Sequence, residues 1–389
     1  MPAAPVVMGI TGVNGKSSTL KILENIFRGN HSTPGTSFKM FSSAQAEKPS
    51  IIEKIKDAGR QGVKYLFLEI PTRALSTPHI KSLNLHLLAV TNLTPEGLTG
   101  FPGKTAGLQS TFSKLMGENS TVLVNADDPL TLQMADITHS QVITYALDYA
   151  NAMATAGEIL LNPNQSQFKV FVESDITSLG GKIIDPFSQS FTLPLPGRHN
   201  IYNGLVAILM SLACDLKPEF ITAGFSRLLP FKRCLETIYS NHFTIIDDGA
   251  SNPGAIKSVL ETIGSYPYRK LILVYALSGN QNTAINALNG KLISQWSKKI
   301  NIKKVIVTKS IHQVNKKARA SLQEEKAFLE ECQNFAGQIS VIPDLGGALQ
   351  DSILSAQEGD IILLLGEKGM DPGASLSQKV LYSFSGSSG

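Results

Sequence analysis

The segment VVMGITGVNGKSSTL at 6–20 constrains the fold more than any other stretch of this chain. It reads as a short apolar strand, a glycine-rich turn and the start of a helix. Gly12 and Gly15 let the backbone curl so that its N–H groups converge on an anion. Lys16 supplies a mobile positive charge for terminal phosphates. Ser17 opens the helix, where its hydroxyl can hold Mg²⁺ and the helix N-terminus adds partial positive charge. The strict spacing G-x-x-x-x-G-K-[ST] fails by one place: Ile10 stands at the first glycine, and Gly9 comes one residue early.

The remaining chain fits a strand–helix rhythm. SSTLKILENIFRG (17–29) predicts a helix with Leu20, Ile22, Leu23 and Ile26 on one face. KYLFLEI (64–70), LHLLAVTNL (85–93) and TVLVNADD (121–128) are near-continuously apolar, as parallel strands covered on both faces should be. The expected fold is therefore α/β, a doubly wound parallel sheet built on a phosphate loop. Residues 151–196 alternate more and sit between Gly, Asn and Pro turns, which predicts a small antiparallel patch attached to this domain. A second α/β domain follows, with strands at FTIIDDG (243–249), LILVYAL (271–277), KKVIVTK (303–309), QISVIPD (338–344) and DIILLLG (360–366). The expected division is 1–236, 237–384 and a flexible tail 385–389. The polar stretch 236–242 is the expected hinge.

Composition narrows the function. Of 389 residues, 42% are hydrophobic and 17% charged, enough to bury true cores. A net charge of +4, evenly spread, argues against nucleic-acid or acidic-membrane partners. No apolar run approaches the roughly 20 residues that span a bilayer, and no leader-like segment opens the chain. Cys214, Cys234 and Cys332 have no metal-ligand spacing and fit reduced thiols, so a cytoplasmic protein is expected.

The departure from the strict loop pattern matches the variant T-G-x-N-G-K-[ST], here Thr11 to Ser17, and further motifs follow in order. They are LFLEIPTRAL (66–75), AVTNLTPEGL (89–98), TFSKLM (111–116) with VLVNADDP (122–129), PGRHNIYN (196–203), FKRCLE (231–236), IDDGASNPGAI (246–256) and LLLGEKGMD (363–371). Together they resemble the Mur ligases over nearly the whole chain, nearest the muramyl-tripeptide type. Folylpolyglutamate synthase and cyanophycin synthetase are related.

The resemblance implies an ATP-dependent ligase that joins a carboxylate to an amine or amino acid through an acyl phosphate. Its cofactors are ATP and Mg²⁺, and its partners are small molecules. Nothing points beyond a monomer or small homo-oligomer. Thr11, Gly12, Asn14, Gly15, Lys16, Ser17 and Ser18 would hold phosphates. Glu69 and Ser17 would hold magnesium, with Lys114 as a carbamylated third ligand. His199, Asn200 and Asn203 would lie near adenine, Arg233 near the terminal phosphate and Asp248 on ribose. Lys16, Glu69, Lys114 and Arg233 form the implied catalytic set.

Several positions depart from the family pattern. No counterpart of the UDP-sugar domain precedes the loop. Gly97 replaces a magnesium-binding His, Ser251 another His, Lys232 a Gly, and Arg73 a further His. SGNQN (278–282) replaces a charged turn, and the D-N-P-R segment has no counterpart. DGASNP resembles a folylpolyglutamate synthase segment, so such a ligase is one alternative. The losses leave a non-catalytic nucleotide-binding partner protein as another.

Overall fold

The computed structural model describes residues 4–29, 37–95, 101, 105–134, 141–279 and 283–385. Gly97, positions 280–282 of the SGNQN turn and residues 386–389 of the tail lie outside them. The chain divides into two compact units between Leu229 and Pro230.

The strands described in the first unit are β1 (Val6–Thr11), β2 (Phe38–Phe41), β3 (Tyr65–Glu69), β4 (Leu85–Val90), β5 (Met116–Asn125), β6 (Gln141–Ala146), β7 (Ala154–Asn162), β8 (Gln165–Val172), β9 (Ile176–Thr177), β10 (Ile183–Ile184) and β11 (Phe187–Leu193). Nine of them form one sheet in the order β11-β8-β7-β6-β5-β4-β1-β3-β2, while β9 and β10 pair apart. From β2 to β7 every pairing is parallel. The expected antiparallel patch is real, since β7/β8 and β8/β11 run antiparallel. It is not a separate sheet, because β7 also pairs with β6 and carries the ladder onward.

β1 lies between β3 and β4, with its end at the loop. Gly9 is explained here. A Cβ on it would come within 2.9 Å of Ile70 and Leu88 side-chain carbons. It is a packing glycine of the central strand, outside the phosphate turn. Helix α1 (Lys16–Arg28) buries Leu20, Ile22, Leu23, Ile26 and Phe27 against the sheet. Phe27 meets Phe67 edge-on at 4.9 Å. The helix Arg198–Ala213 is buried along almost its whole length, so it serves as a core element.

The second unit holds β12 (Glu236–Ser240), β13 (Thr244–Asp248), β14 (Leu271–Ala276), β15 (Ile302–Thr308), β16 (Gln338–Val341) and β17 (Ile361–Leu365). Their order is β12-β13-β17-β14-β15-β16, parallel except at the β12 edge. Leu271, Leu273 and Tyr275 join one core and Ile272, Val274 and Ala276 the other, as strand alternation requires. This corrects the hinge expectation. Residues 236–240 are a paired edge strand of this sheet, and the division falls seven residues before the expected boundary.

Candidate phosphate and metal site

The loop after β1 is a turn only glycine fits at two places. Gly12 has φ +132 and Gly15 φ +87, both in the region that penalises a side chain. Both also have a wall: a Cβ on Gly12 would stand 2.1 Å from Thr91 Oγ1, and one on Gly15 2.3 Å from Asn203 Oδ1. The turn is braced from the end of β4. Asn92 accepts from the Asn14 N–H at 2.9 Å and donates to its carbonyl at 3.0 Å. Thr91 Oγ1 donates to the carbonyls of Asn14 and Thr11. The hydroxyls of buried Thr11 and Thr19 have no partner among the described residues.

Ser17 Oγ donates to Glu69 Oε1 at 2.7 Å, so the end of β3 and the start of α1 meet here. Ser17 is exposed and Glu69 is almost buried. A hydroxyl and a carboxylate beside a phosphate turn form the hard oxygen set that magnesium accepts, with phosphates and water completing its shell. Lys16 folds back on its own loop, donating to the carbonyls of Gly12 (2.7 Å) and Val13 (3.0 Å). Burial pushes its amine below the ordinary lysine range, Glu69 pulls it up, and Arg73 pushes it down again.

The helix start at Arg198–Ala213 supplies the loop wall. Asn203 donates to Asn200 Oδ1 at 3.1 Å, and Asn200 donates to the Pro196 carbonyl at 2.8 Å. His199 Nδ1 is buried without a partner, and burial pulls the ring down to about 4, so it is neutral at pH 7. Nearby, Asp127 and Asp128 at the end of β5 do structural work. Asp127 accepts from three successive backbone N–H groups, Leu147 to Tyr149, and from the Tyr202 hydroxyl. Asp128 caps the turn at Pro129–Leu132 and accepts from Leu93 N.

Arg233 and Asp248 belong to the second unit. Arg233 has φ +56 and is committed there, with its guanidinium donating to Asp247, Asp371 and the Gly366 carbonyl. Its backbone N–H donates to Glu236. Asp248 accepts from the N–H groups of Leu235 and Ala250, each at 2.8 Å. Burial raises Asp248 to about 7, against the pull of those two donors. Asp247 is raised by burial to about 6, with Arg233 opposing. Ser251 donates to Glu367 at 2.9 Å.

Lys114 ends the helix Thr105–Leu115 on its solvent side, opposite buried Leu108, Phe112 and Leu115. Nothing described joins it to Ser17 or Glu69. Among the described residues, no group of three or more His, Cys, Asp or Glu is placed to hold a metal.

Residues 10–211 match the Mur ligase middle domain, and residues 233–368 match the Mur ligase glutamate ligase domain. The chain belongs to the Mur ligase family. Among curated relatives, the UDP-N-acetylmuramoyl-L-alanyl-D-glutamate–2,6-diaminopimelate ligase of Bacillus licheniformis is 26% identical over 71% of this chain and 58% of its own length. The enzyme of that name from Caldanaerobacter subterraneus is 24% identical over 96% of this chain and 75% of its own. Of that first relative, then, the chain spans less than two thirds. MurF from Acinetobacter baumannii shares the fold at TM-score 0.71 and 16% identity, covering 98% of this chain and 77% of that one. Folylpolyglutamate synthase from Mycobacterium tuberculosis shares it at TM-score 0.68 and 14% identity, covering 98% and 91%.

In this member of the Mur ligase family, the structure brings Lys16, Ser17, Glu69 and the Asn200–Asn203 helix start to one loop. Sequence reasoning gave no role to Thr91 and Asn92, although both stand in the quoted TNL segment. Their signal was weak because side chains that brace a neighbouring turn leave no spacing pattern.

Proposed function

We propose that this chain is an ATP-dependent ligase that activates a small-molecule carboxylate as an acyl phosphate and joins it to an amine or amino acid. The carrying observation is the braced left-handed loop with Lys16 at its mouth and the Ser17–Glu69 pair beside it. Family membership of both domains supports the same reading. Backbone N–H groups and α1 would orient the phosphates, and Lys16 would leave its loop carbonyls to follow the charge that moves to the acceptor. Bound Mg²⁺, held by Ser17 and Glu69, would neutralise phosphate charge. Asn203 would keep the loop in its binding shape. His199, neutral at pH 7, would face a base without competing for phosphate.

Lys114 is exposed and no described contact joins it to Ser17 or Glu69, so the proposed reaction is written without its carbamate. The relatives' acceptor, a UDP-muramyl peptide, is one candidate, and a folate-like carboxylate is another. No helix described is long and apolar enough to cross a membrane, which suits a cytoplasmic enzyme.

A specific observation favours a second reading. Arg233 and Asp248 spend their polar atoms inside the second unit, as a nucleotide-binding partner protein without turnover would allow. ADP release with panels of carboxylates and amines separates the two. Turnover that Lys16→Ala abolishes supports the ligase. Tight ATP binding with no ADP formed under any pairing supports the partner protein.

A further inference from the structure

We propose that Arg73 receives an oxyanion of the phosphoryl group that ATP gives up, with Glu47 as its resting counterion. The proposal rests on the ligase reading above. Arg73 stands on the 3-10 turn Thr72–Ser76, directly after the strand that ends in Glu69. That strand lies beside β1, and Ile70 N donates to the Ile10 carbonyl at 2.9 Å. Arg73 therefore leaves the sheet at the edge where the phosphate loop leaves it, at the carboxyl ends of parallel strands, where ligands of open α/β sheets bind.

The guanidinium is available. Its side chain is 79% exposed, and its one ion pair among the described residues is with Glu47, Nη2 to Oε1, at 2.5 Å. That contact is close but misaligned, because Glu47 Oε1 has no hydrogen bond of acceptable geometry. Arg73 is the solvent-facing member of this half-exposed pair, so its side of the contact is screened. A phosphoryl group offers more: two or three oxygens in the planar spacing of the guanidinium fork. Arg73 is near enough to Lys16 to repel its charge, which sets both cations at the loop mouth. Arg73 binds the group through hydrogen bonds alone and exchanges no proton with it.

The test is calorimetric titration of the full chain with MgADP and with Mg-AMPPCP, which keeps a terminal phosphoryl group. Arg73→Ala should bind MgADP within twofold of wild type and lose about tenfold for Mg-AMPPCP. Arg73→Lys should recover part of that loss. Glu47→Gln, which frees the guanidinium, should tighten Mg-AMPPCP about two- to threefold and leave MgADP unchanged. An AMPPCP-to-ADP preference equal in wild type and Arg73→Ala overturns the proposal, as does an equal loss of both nucleotides. A wild-type chain that binds neither nucleotide removes the ligase reading and this proposal with it. A chain that binds both with no Arg73 effect removes only this one.

Discussion

Gly15→Ala is the sharpest test of the loop, because two separate costs fall on one methyl group. The first is conformational: at φ +87 an alanine is strained by about 1–2 kcal/mol. The second is the wall. The new Cβ would stand 2.3 Å from Asn203 Oδ1, and Asn203 is buried and tied to Asn200, which is tied to the Pro196 carbonyl. Moving Asn203 loses a hydrogen bond of about 1 kcal/mol and crowds the helix start by about 1–3 kcal/mol. The expected total is roughly 3–6 kcal/mol, below most of the roughly 5–15 kcal/mol of a typical domain, so the variant is expected to fold with a much reduced margin. Gly62→Ala is the control. Gly62 has φ +73 with nothing within 4 Å of an added methyl, so only the strain of about 1–2 kcal/mol applies. Urea unfolding followed by circular dichroism measures both variants, and titration with MgADP measures the loop. Gly15→Ala should be less stable than Gly62→Ala by roughly 2–4 kcal/mol and should lose nucleotide binding, which Gly62→Ala keeps. Equal stabilities with intact binding would refute the Asn203 wall.

Glu69→Gln keeps size and removes charge, so the magnesium concentration for half-maximal nucleotide binding should rise about tenfold or more; an unchanged magnesium titration would make Glu69 structural. Asp247 and Asp248 are raised in the folded unit, to about 6 and about 7, above an unfolded value near 4. A raised carboxyl contributes stability below its unfolded value and loses it as pH climbs through the folded one, so the exchange protection of β13 and β17, corrected for intrinsic base catalysis, should fall between about pH 4 and 7. Asp248→Asn should flatten that profile, and an unaltered slope would contradict the assignment. Lys114→Ala should leave ligase turnover within about twofold, as expected for exposed surface positions; a large loss restored by added bicarbonate would reinstate the carbamate.

The strand–turn–helix at the loop was legible because its chemistry is local. Gly12, Gly15, Lys16 and Ser17 carry their roles in adjacent positions. The parallel strands were legible from unbroken apolar runs. What was hidden depends on partners far along the chain. β2 is four residues, FKMF, with too little length to show a period. The stretch ETIYS looked like a hinge because its ends are polar, yet Thr237, Ile238 and Tyr239 are good strand residues once β13 offers an edge. Arg233 was expected at a phosphate because of its motif. Its acceptors Asp371 and Gly366 lie more than 130 residues away, and no local spacing announces them. Lys114 was assigned by motif position, while helical phase places it two residues beyond buried Phe112 and on the outer face.

If the loop holds phosphate as proposed, the Thr91 and Asn92 braces give it that shape before any nucleotide arrives. A cradle ordered in advance gives up little conformational freedom on binding, so association is quick and most of the contact energy is retained. It also has no reason to prefer the nucleotide that enters over the one that leaves, since both present the same inner phosphates to the same N–H groups. An enzyme built this way discriminates only through whatever grips the last phosphate. Its working rate would then follow the ratio of ATP to ADP around it more than the amount of ATP alone.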